Sequence, residues 1–483
     1  MSKQNKTAIT PTRDDDFPQW YQEVIKAADM AENSPVRGCM IIKPYGYAVW
    51  ENMTRIFDGM IKELGVQNAY FPLLIPVEFL SREAEHIEGF AKECAVVTHH
   101  RLEKNADGKL VPAAPLEEPY VIRPTSETII GDAMARWVQS YRDLPLKLNQ
   151  WCNVMRWEMR PRLFLRTSEF LWQEGHHAFE TAQEAREDTF RMLDAYAEFV
   201  ENNLAVPVIK GEKTADERFP GAAMTTTIEA IMQDGKALQA ATSHDLGQNF
   251  SKTCNIRFQG RDSTEQFAWT TSWGLSTRMI GAMIMVHGDD DGMIMPPRIA
   301  PHQVGIIPIV RDDQDSAAVL EYVRDLARKL KAIGIRAFID ESDERTPNKM
   351  WAMIKKGVPV RVEIGAREMQ EGTLTHVRRD LGRDSKASCS VDEFVKTVPG
   401  ILDQIHDALF ERAKTFRDTN IHDGQSLADL EAHFKTGKTG LVRLDSTLLE
   451  GADYQRIKKE HALTARCMPF ADKGQKVLVG RAY

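Results

Sequence analysis

Between Val49 and Leu64, apolar residues recur at helical spacing: Val49, Met53, Ile56, Met60 and Leu64. That period predicts one amphipathic helix, and Gly65 supplies its stop. Asn68 to Pro76 is an apolar run closed by prolines and predicts a strand. Residues 101–119 mix proline, alanine and charge, which predicts an exposed hairpin or loop. Residues 146–180 carry more aromatic, basic and acidic side chains together than a plain core strand needs. Residues 182–203 predict a helix on the surface. Residues 264–298 hold two apolar stretches separated by His287-Gly288-Asp289-Asp290-Asp291-Gly292. The pattern changes near Pro301. Val304–Val310, Ile335–Ile339 and Val358–Ile364 read as strands. Helices with Leu320, Val323, Leu326 and Leu330, and then Lys349–Lys356, lie between them. A β-α-β-α-β order predicts a small α/β unit with a mostly parallel sheet. Residues 391–417 read as helix, and the polar tail 420–483 becomes strand-like at Val477–Arg481. The first 16 residues are polar and expected to be loose.

The chain has 483 residues, room for roughly two to four domains. Hydrophobic residues make up 42% and charged residues 27%, which excludes disorder as the dominant state. No apolar run approaches the roughly 20 residues that span a bilayer. The N-terminal stretch has no apolar core of a secretory signal, so a cytoplasmic protein without a membrane partner is expected. The formal charge of −8 excludes a chain coated in positive charge but leaves room for a local basic face. Cys39, Cys94, Cys152, Cys254, Cys389 and Cys467 form no CxxC pair, so free thiols are expected.

Five segments concentrate groups that carry chemistry. Arg156, Glu158, Arg160, Arg162, Arg166 and Thr167 could grip a polyanion, because the guanidinium is a planar, permanently charged fork. Glu158 shares a strand face with Arg156. A solvated strand–loop–strand with surface ion pairs would read the same way. Arg298 follows Pro296-Pro297 and could start a helix and clamp a second phosphate. The acids of the preceding turn are contiguous, so they fit no calcium-loop template. In Arg123-Pro124-Thr125-Ser126-Glu127-Thr128, a hydroxyl and a carboxylate two residues apart can both accept from an ammonium group; a helix N-cap is the plain alternative. Trp172, Glu174 and His176 share a strand face and could form a small amine pocket, or an ordinary buried tryptophan with satisfied neighbours. Gln239 to Phe250 sets many hydrogen-bonding groups beside small residues, which is expensive to bury unless a ligand or network satisfies them. GxxxxGK[ST], GxGxxG and GxSxG are all absent, which removes the main support for a P-loop ATPase, a Rossmann oxidoreductase and an α/β-hydrolase.

Taken in order, these segments resemble the class II aminoacyl-tRNA synthetases. Lys62-Glu63-Leu64-Gly65 through Ala69-Tyr70-Phe71-Pro72-Leu73-Leu74 is similar to motif 1. Arg156-Trp157-Glu158 is similar to motif 2, and Gly292 to Arg298 to motif 3. Arg123 to Thr128, Leu165 to His176, Thr242-Ser243-His244 and Thr271-Ser272-Trp273-Gly274 resemble the prolyl-tRNA synthetases of archaeal and eukaryotic architecture, from about Phe17 to Tyr483.

The resemblance implies an α+β fold. Residues 1–301 would form the class II catalytic domain, an antiparallel sheet with flanking helices. Residues 302–410 would form an α/β anticodon-binding domain, and 411–483 a small α+β C-terminal domain. It implies ATP with Mg2+, L-proline and proline tRNA as ligands, and a homodimer. Arg156 and Arg298 would be catalytic. Arg156, Glu158, Arg166, Thr167, Phe170, Gln239, Thr242 and Arg298 would bind ATP. Thr125, Glu127, Arg156, Trp172, Glu174, His176, His244, Ser272, Trp273 and Gly274 would bind proline. Lys349, Trp351, Arg361 and Arg378 would meet the anticodon, although any one lysine there also fits a solvated face. Lys355, Lys356, Glu363 and Arg379 add to that charged, single-aromatic surface. Tyr483 and its carboxylate would approach the active site.

Two departures from relatives stand out. Residues 411–483 retain only Cys467 of the family's four zinc-binding cysteines, so no structural zinc and no other protein-held metal is expected. Glu158 and Arg298 are too close in sequence for the long editing insertion of the common bacterial form. A synthetase for threonine or glycine is the rival within the fold, opposed by the Thr125/Glu127 pair with Trp172 and His176. A binding protein that has lost chemistry is the rival outside it, opposed by the presence of Arg156 and Arg298.

Overall fold

The computed structural model describes residues 7–82, 93–310 and 316–483. Helices α1 (Phe17–Ala27) and α2 (Pro44–Glu63) precede two short strands, β1 (Gln67–Asn68) and β2 (Leu74–Pro76). A hairpin of β3 (Ala95–Lys104) and β4 (Leu110–Ile122) leads to α3 (Glu127–Trp137). Strand β5 (Leu146–Met155), β6 (Glu169–Phe179), α4 (Ala182–Leu204), β7 (Ile209–Glu212), β8 (Met224–Ile231), β9 (Ala237–Gly247), β10 (Trp269–Ser276) and α5 (Arg278–His287) follow. The central sheet runs β1-β5-β6-β10-β9-β8-β7 and is antiparallel except for β1 beside β5.

Helix α2 forms where the period predicts it. Val49, Met53, Phe57 and Ile61 are its buried line, while Ile56, Met60 and Leu64 pack half-buried at its flank. The expected strand from Asn68 to Pro76 is not continuous. Asn68 pairs with β5, and Leu74 to Pro76 pair with β4. Pro72 lies between them and has no N–H to offer a ladder. The 182–203 helix is not a surface helix. Ala185, Met192, Leu193, Tyr196, Phe199 and Val200 of α4 are buried on one face of the sheet, and Phe57 of α2 stacks on Tyr196 with ring centroids 5.1 Å apart. With that face covered, polar side chains for chemistry must come from the other.

The second unit comprises β11 (Val304–Ile309), α6 (Ser316–Ala332), β12 (Ala337–Ile339), α7 (Thr346–Lys356), β13 (Val360–Gly365), β14 (Thr373–Arg378), β15 (Ala387–Ser390) and α8 (Val391–Thr419). Its sheet order is β12-β11-β13-β14-β15. The first three strands are parallel, as expected, and the last two add an antiparallel edge. Helix α8 runs through residue 410 without a break. Beyond it come β16 (Ile421–Asp423), α9 (Leu427–Lys435), β17 (Leu441–Asp445), α10 (Ala452–His461), β18 (Thr464–Pro469) and β19 (Lys476–Gly480). These strands pair in the order β16-β17-β19-β18, and β18 then pairs with β7 through Met468–Glu212 and Pro469–Gly211. The C-terminal unit therefore extends the central sheet.

The His287–Gly292 segment is a turn, and its three acids are committed. Asp289 takes a two-pronged ion pair from Arg379 at 2.6 and 2.8 Å. Asp290 pairs with Arg13 at 3.2 Å, and Asp291 accepts from the Ala8 backbone. Residues 7–13 are thus docked rather than loose, with Ile9 buried. Residues 1–6 lie outside the described residues.

Candidate active site

The uncovered face of the sheet carries a grid set by strand register. Cys152 lies opposite Trp172, Gln150 opposite Glu174, and Leu148 opposite His176. Across the next ladder, Ser276, Gly274 and Ser272 face the same three residues. Thr242 and His244 continue the rows on β9. The register of β9 against β8 shifts between Ile228 and Glu229, which re-aims Gln239 toward the same face. Trp172, Glu174, His176, Ser272, Gly274, Ser276, Thr242, His244 and Gln239 of this grid wall a cavity of about 310 Å³.

One end of the cavity suits a small amine. Thr125 Oγ1 donates to Glu127 Oε2 at 2.5 Å, and Glu127 opens α3, where the helix dipole favours a carboxylate. Ser126 stands at the N-cap position, yet its hydroxyl donates to Glu174 Oε1 at 2.5 Å and caps nothing. Gln150 donates to the same oxygen at 2.9 Å, and His176 Nε2 meets Glu174 Oε2 at 3.0 Å. Burial alone would raise the Glu174 pKa, but the hydrogen bonds from His176, Ser126 and Gln150 hold it below its ordinary value. Burial alone would lower the His176 pKa, but Glu174 and Glu127 hold it above 6.5. His244 is pushed down to about 3 by burial and then by the charge of His176, so it stays neutral, with Nδ1 3.0 Å from Thr225 Oγ1. Ser272 Oγ is buried with no hydrogen-bond partner among the described residues, a vacancy a ligand could fill. Trp273 borders the cavity, but its indole packs in the core on the α4 side, 5.8 Å from the Tyr196 ring.

The Glu174–His176 pair sets a pH window. His176, with its pKa raised, contributes stability fully below 6.5 and loses it as pH rises through its folded value. Glu174, with its pKa lowered, contributes fully above 4.5 and loses it as pH falls through its folded value. The difference in thermal stability between wild type and His176→Gln is expected to be largest between pH 4.5 and 6.5 and to shrink on both sides. Melting curves across pH check this.

The other end suits a polyanion. Arg156 Nε donates to the Pro124 carbonyl at 2.9 Å, and its guanidinium lies 5.7 Å from the Phe170 ring centroid and 5.3 Å from that of Trp172. Gln239 and Thr242 share this wall. A second arginine stands here that the sequence reading did not assign, Arg278, the first residue of α5. It donates from Nε to the Leu165 carbonyl at 3.2 Å. Burial, then the charges of Arg166, Arg156 and Arg466, push its pKa down to about 10. It remains a cation at neutral pH, in a positive field that an anion would relieve.

Arg298 corrects the expectation for motif 3. It is exposed, is not on the cavity wall, and donates from Nη1 to the Asn202 carbonyl at 2.5 Å. Its nearest carboxylate is Asp403 of α8, at 3.9 Å. In sequence, the ten residues of α5 and the following turn separate Arg278 from Arg298. Glu158, Arg166 and Thr167 belong to the loop between β5 and β6 and are not on the cavity wall. Glu158 Oε1 accepts from the Arg160 backbone at 2.8 Å, Arg166 is exposed, and Thr167 is buried. Ser168 N pins the loop to the Gly38 carbonyl at 2.7 Å.

The sequence reading also missed Glu217, Arg218, Phe219 and Pro220, which close one side of the cavity. The Phe219 ring lies 4.6 Å from His244. Their signal was an isolated Phe219-Pro220-Gly221 inside a charged stretch.

A separate hollow of about 720 Å³ in the second unit is lined by Trp351, Arg361, Arg378 and Arg383, with Asp291 and Thr7 at its border. Arg361 pairs with Glu363 at 3.1 Å and Arg378 with Asp380 at 2.8 Å. Lys349 is not available there: it is buried and donates to the Asp340 carbonyl at 3.0 Å. In the C-terminal unit Cys467 is buried against Gly211, and Glu431, Glu460 and His461 converge at the surface. Arg456 already bridges those two glutamates at 3.0 and 2.8 Å. Tyr483 donates from its hydroxyl to Asp234 at 2.6 Å and from its backbone N to the Ala237 carbonyl, two residues before Gln239. No described helix is long and apolar enough to cross a membrane.

An arginine-lined anion site on an antiparallel sheet, beside a small acid-lined pocket, is the layout of a class II tRNA synthetase. The family model described as the tRNA synthetase class II core domain (G, H, P, S and T) matches residues 111–287, and the anticodon binding domain model matches 303–400. The "Proline--tRNA ligase" of Bdellovibrio bacteriovorus is 57% identical over 96% of this chain and 94% of its own. That of Akkermansia muciniphila is 54% identical over 98% and 96%, and that of Protochlamydia amoebophila 51% over 99% and 97%. The chain belongs to the proline–tRNA ligase family.

Proposed function

We propose that the cavity activates L-proline with ATP, giving prolyl-adenylate and pyrophosphate, and that the enzyme then transfers the prolyl group to the 3′ end of proline tRNA. One observation carries this reading. Arg156 and Arg278 stand in the same cavity as the Thr125–Glu127 and Glu174–His176 pairs. The proline ammonium would be held by Thr125 and Glu127, its ring by Trp172, His176, His244 and Gly274, and its carboxylate by Arg156. Phe170, Gln239, Thr242 and Arg278 would hold ATP.

In activation, a carboxylate oxygen of proline attacks the α-phosphorus. The bond to the β-phosphate oxygen breaks, and pyrophosphate leaves with the electron pair. Both reactants are anionic, so the protein's task is to hold them together and neutralise the charge that moves outward. Fixed arginines do this without reorganising. Transfer follows when the tRNA hydroxyl attacks the acyl carbon and AMP leaves. Magnesium would arrive with ATP and help neutralise its phosphates. Glu127 bonds Thr125, Glu174 bonds Ser126, and Glu217 lies 3.4 Å from Lys458, which favours reading them as partners of protein groups. Trp351, Arg361 and Arg378 would read the anticodon.

Half-buried Ile56 and Met60 on α2, and Tyr70 at 75% exposure, support a homodimer through this side of the catalytic unit. The three units 1–301, 302–410 and 411–483 are functional divisions, joined by α8 and by the shared sheet. A cytoplasmic location fits the substrates. ATP–pyrophosphate exchange with each of the twenty amino acids tests the whole reading. Exchange with proline supports it, and no exchange in folded protein sinks it.

The stretch between β6 and α5 is filled by the sheet strands, α4 and short excursions, so no inserted domain stands there to remove wrong products. A pocket shaped for proline excludes a smaller side chain by only about 1–3 kcal/mol. Alanine is therefore expected to support slow exchange, and alanyl-tRNA formed by the enzyme should persist. Rapid deacylation by the purified protein would contradict this.

A further inference from the structure

One thiol links two walls of the amino-acid end of the cavity. Cys152 lies behind the wall, directly across the β5–β6 ladder from Trp172. The Trp172 indole N–H donates to Cys152 Sγ at 3.3 Å, and the thiol donates to Glu174 Oε1 at 3.3 Å. Burial first, and then the Glu174 charge, push the Cys152 pKa far above its ordinary value, so the sulfur keeps the proton it donates. The same indole presents its face to the Arg156 guanidinium at 5.3 Å. One sulfur thus meets the edge of an aromatic wall and adds a third, longer hydrogen bond to the carboxylate oxygen that Ser126 and Gln150 also hold. On its outer side Cys152 borders a groove of about 450 Å³ with Trp50 and Asp58, so a modest change of side chain there has room.

We propose that Cys152 is a positioning residue for amino-acid selection: it holds Trp172 and Glu174 in the register that fits proline and rejects smaller side chains. This inference rests on the reading of the cavity as the proline site. Cys152 touches no substrate. It acts through two side chains that do, as the partners behind a binding site commonly do. Thiol hydrogen bonds are weak individually, but here one group restrains two walls at once.

The test uses full-length wild type, Cys152→Ser and Cys152→Val, with proline- and alanine-dependent ATP–pyrophosphate exchange and thermal melting. Valine removes both bonds and adds about one methyl group, which the outer groove has room to take. It is expected to raise KM for proline about fivefold, the worth of one ordinary hydrogen bond, and to lower the proline-to-alanine ratio of kcat/KM similarly. KM for ATP and Tm should stay near wild type. Serine, which can donate and accept, should restore proline KM and the ratio. An unchanged KM in Cys152→Val, serine behaving like valine, or parallel loss of Tm and both KM values would each overturn the inference. If the valine variant does not fold, Cys152→Ala removes the same bonds and is judged by the same readouts. Absence of proline-dependent exchange in wild type would instead overturn the underlying reading.

Discussion

Arg278→Met is expected to lower the rate of proline-dependent pyrophosphate exchange by about 10²–10³-fold, the usual loss when one preorganised charge-stabilising donor is removed. Arg298→Ala should stay within about twofold of wild type, because an exposed arginine bonded to a backbone carbonyl contributes little. The contrast separates two arginines that flank α5. Arg278 is set against Arg156 in the cavity, and Arg298 sits beyond the turn, against α8. Single-turnover formation of prolyl-adenylate would place the loss of Arg278 in the chemical step. Equal activity of both variants would return motif 3 to Arg298.

The second large effect concerns a buried ion triad at the edge of the ATP end. Glu229 on β8 is fully buried and accepts from Lys213 at 2.7 Å and from Arg466 at 2.9 and 3.1 Å. Burial would raise its pKa, but the two cations hold it below 4.5. Glu229→Leu leaves two cations inside without a counter-charge and should destabilise the fold by about 3–5 kcal/mol. The triple variant Lys213→Met, Glu229→Leu, Arg466→Met should regain most of that, because removing every buried charge removes the desolvation cost as well. Denaturant midpoints for the two variants decide the matter. Wild-type stability from this triad is present above pH 4.5 and is lost as pH falls through the lowered Glu229 value.

Much of this site was legible because its residues are chemically dense and locally spaced. Thr125 and Glu127 stand two residues apart at the head of one helix, and Trp172, Glu174 and His176 share a face through the period of one strand. Arg278 was missed because proline pairs draw the eye to Pro296-Pro297-Arg298. Its own signal was available: it is the one charged residue between Trp269 and Val286. A lone arginine at the head of an apolar helix has to face something polar. Helix α4 was misread because its many acids outweigh its apolar line in composition, whereas packing depends on how those positions are distributed around the axis. The break near Pro72, the bulge that turns Gln239, and the docking of residues 7–13 on the Asp290–Asp291 turn arise from contacts distant in sequence. No local pattern announces them.

Strand β7 waits long for its outer neighbour. During synthesis it emerges with β8 but stays an unpaired edge until Met468 and Pro469 are made, and Glu229 waits for an arginine 237 positions downstream. An open strand edge invites pairing with other chains, and a half-neutralised buried carboxylate loosens the sheet that bears the cavity. A polypeptide released too early therefore carries a mark that proteases and chaperones can read. Translation, the process this enzyme supplies, is thus also the step that decides whether its own sheet closes.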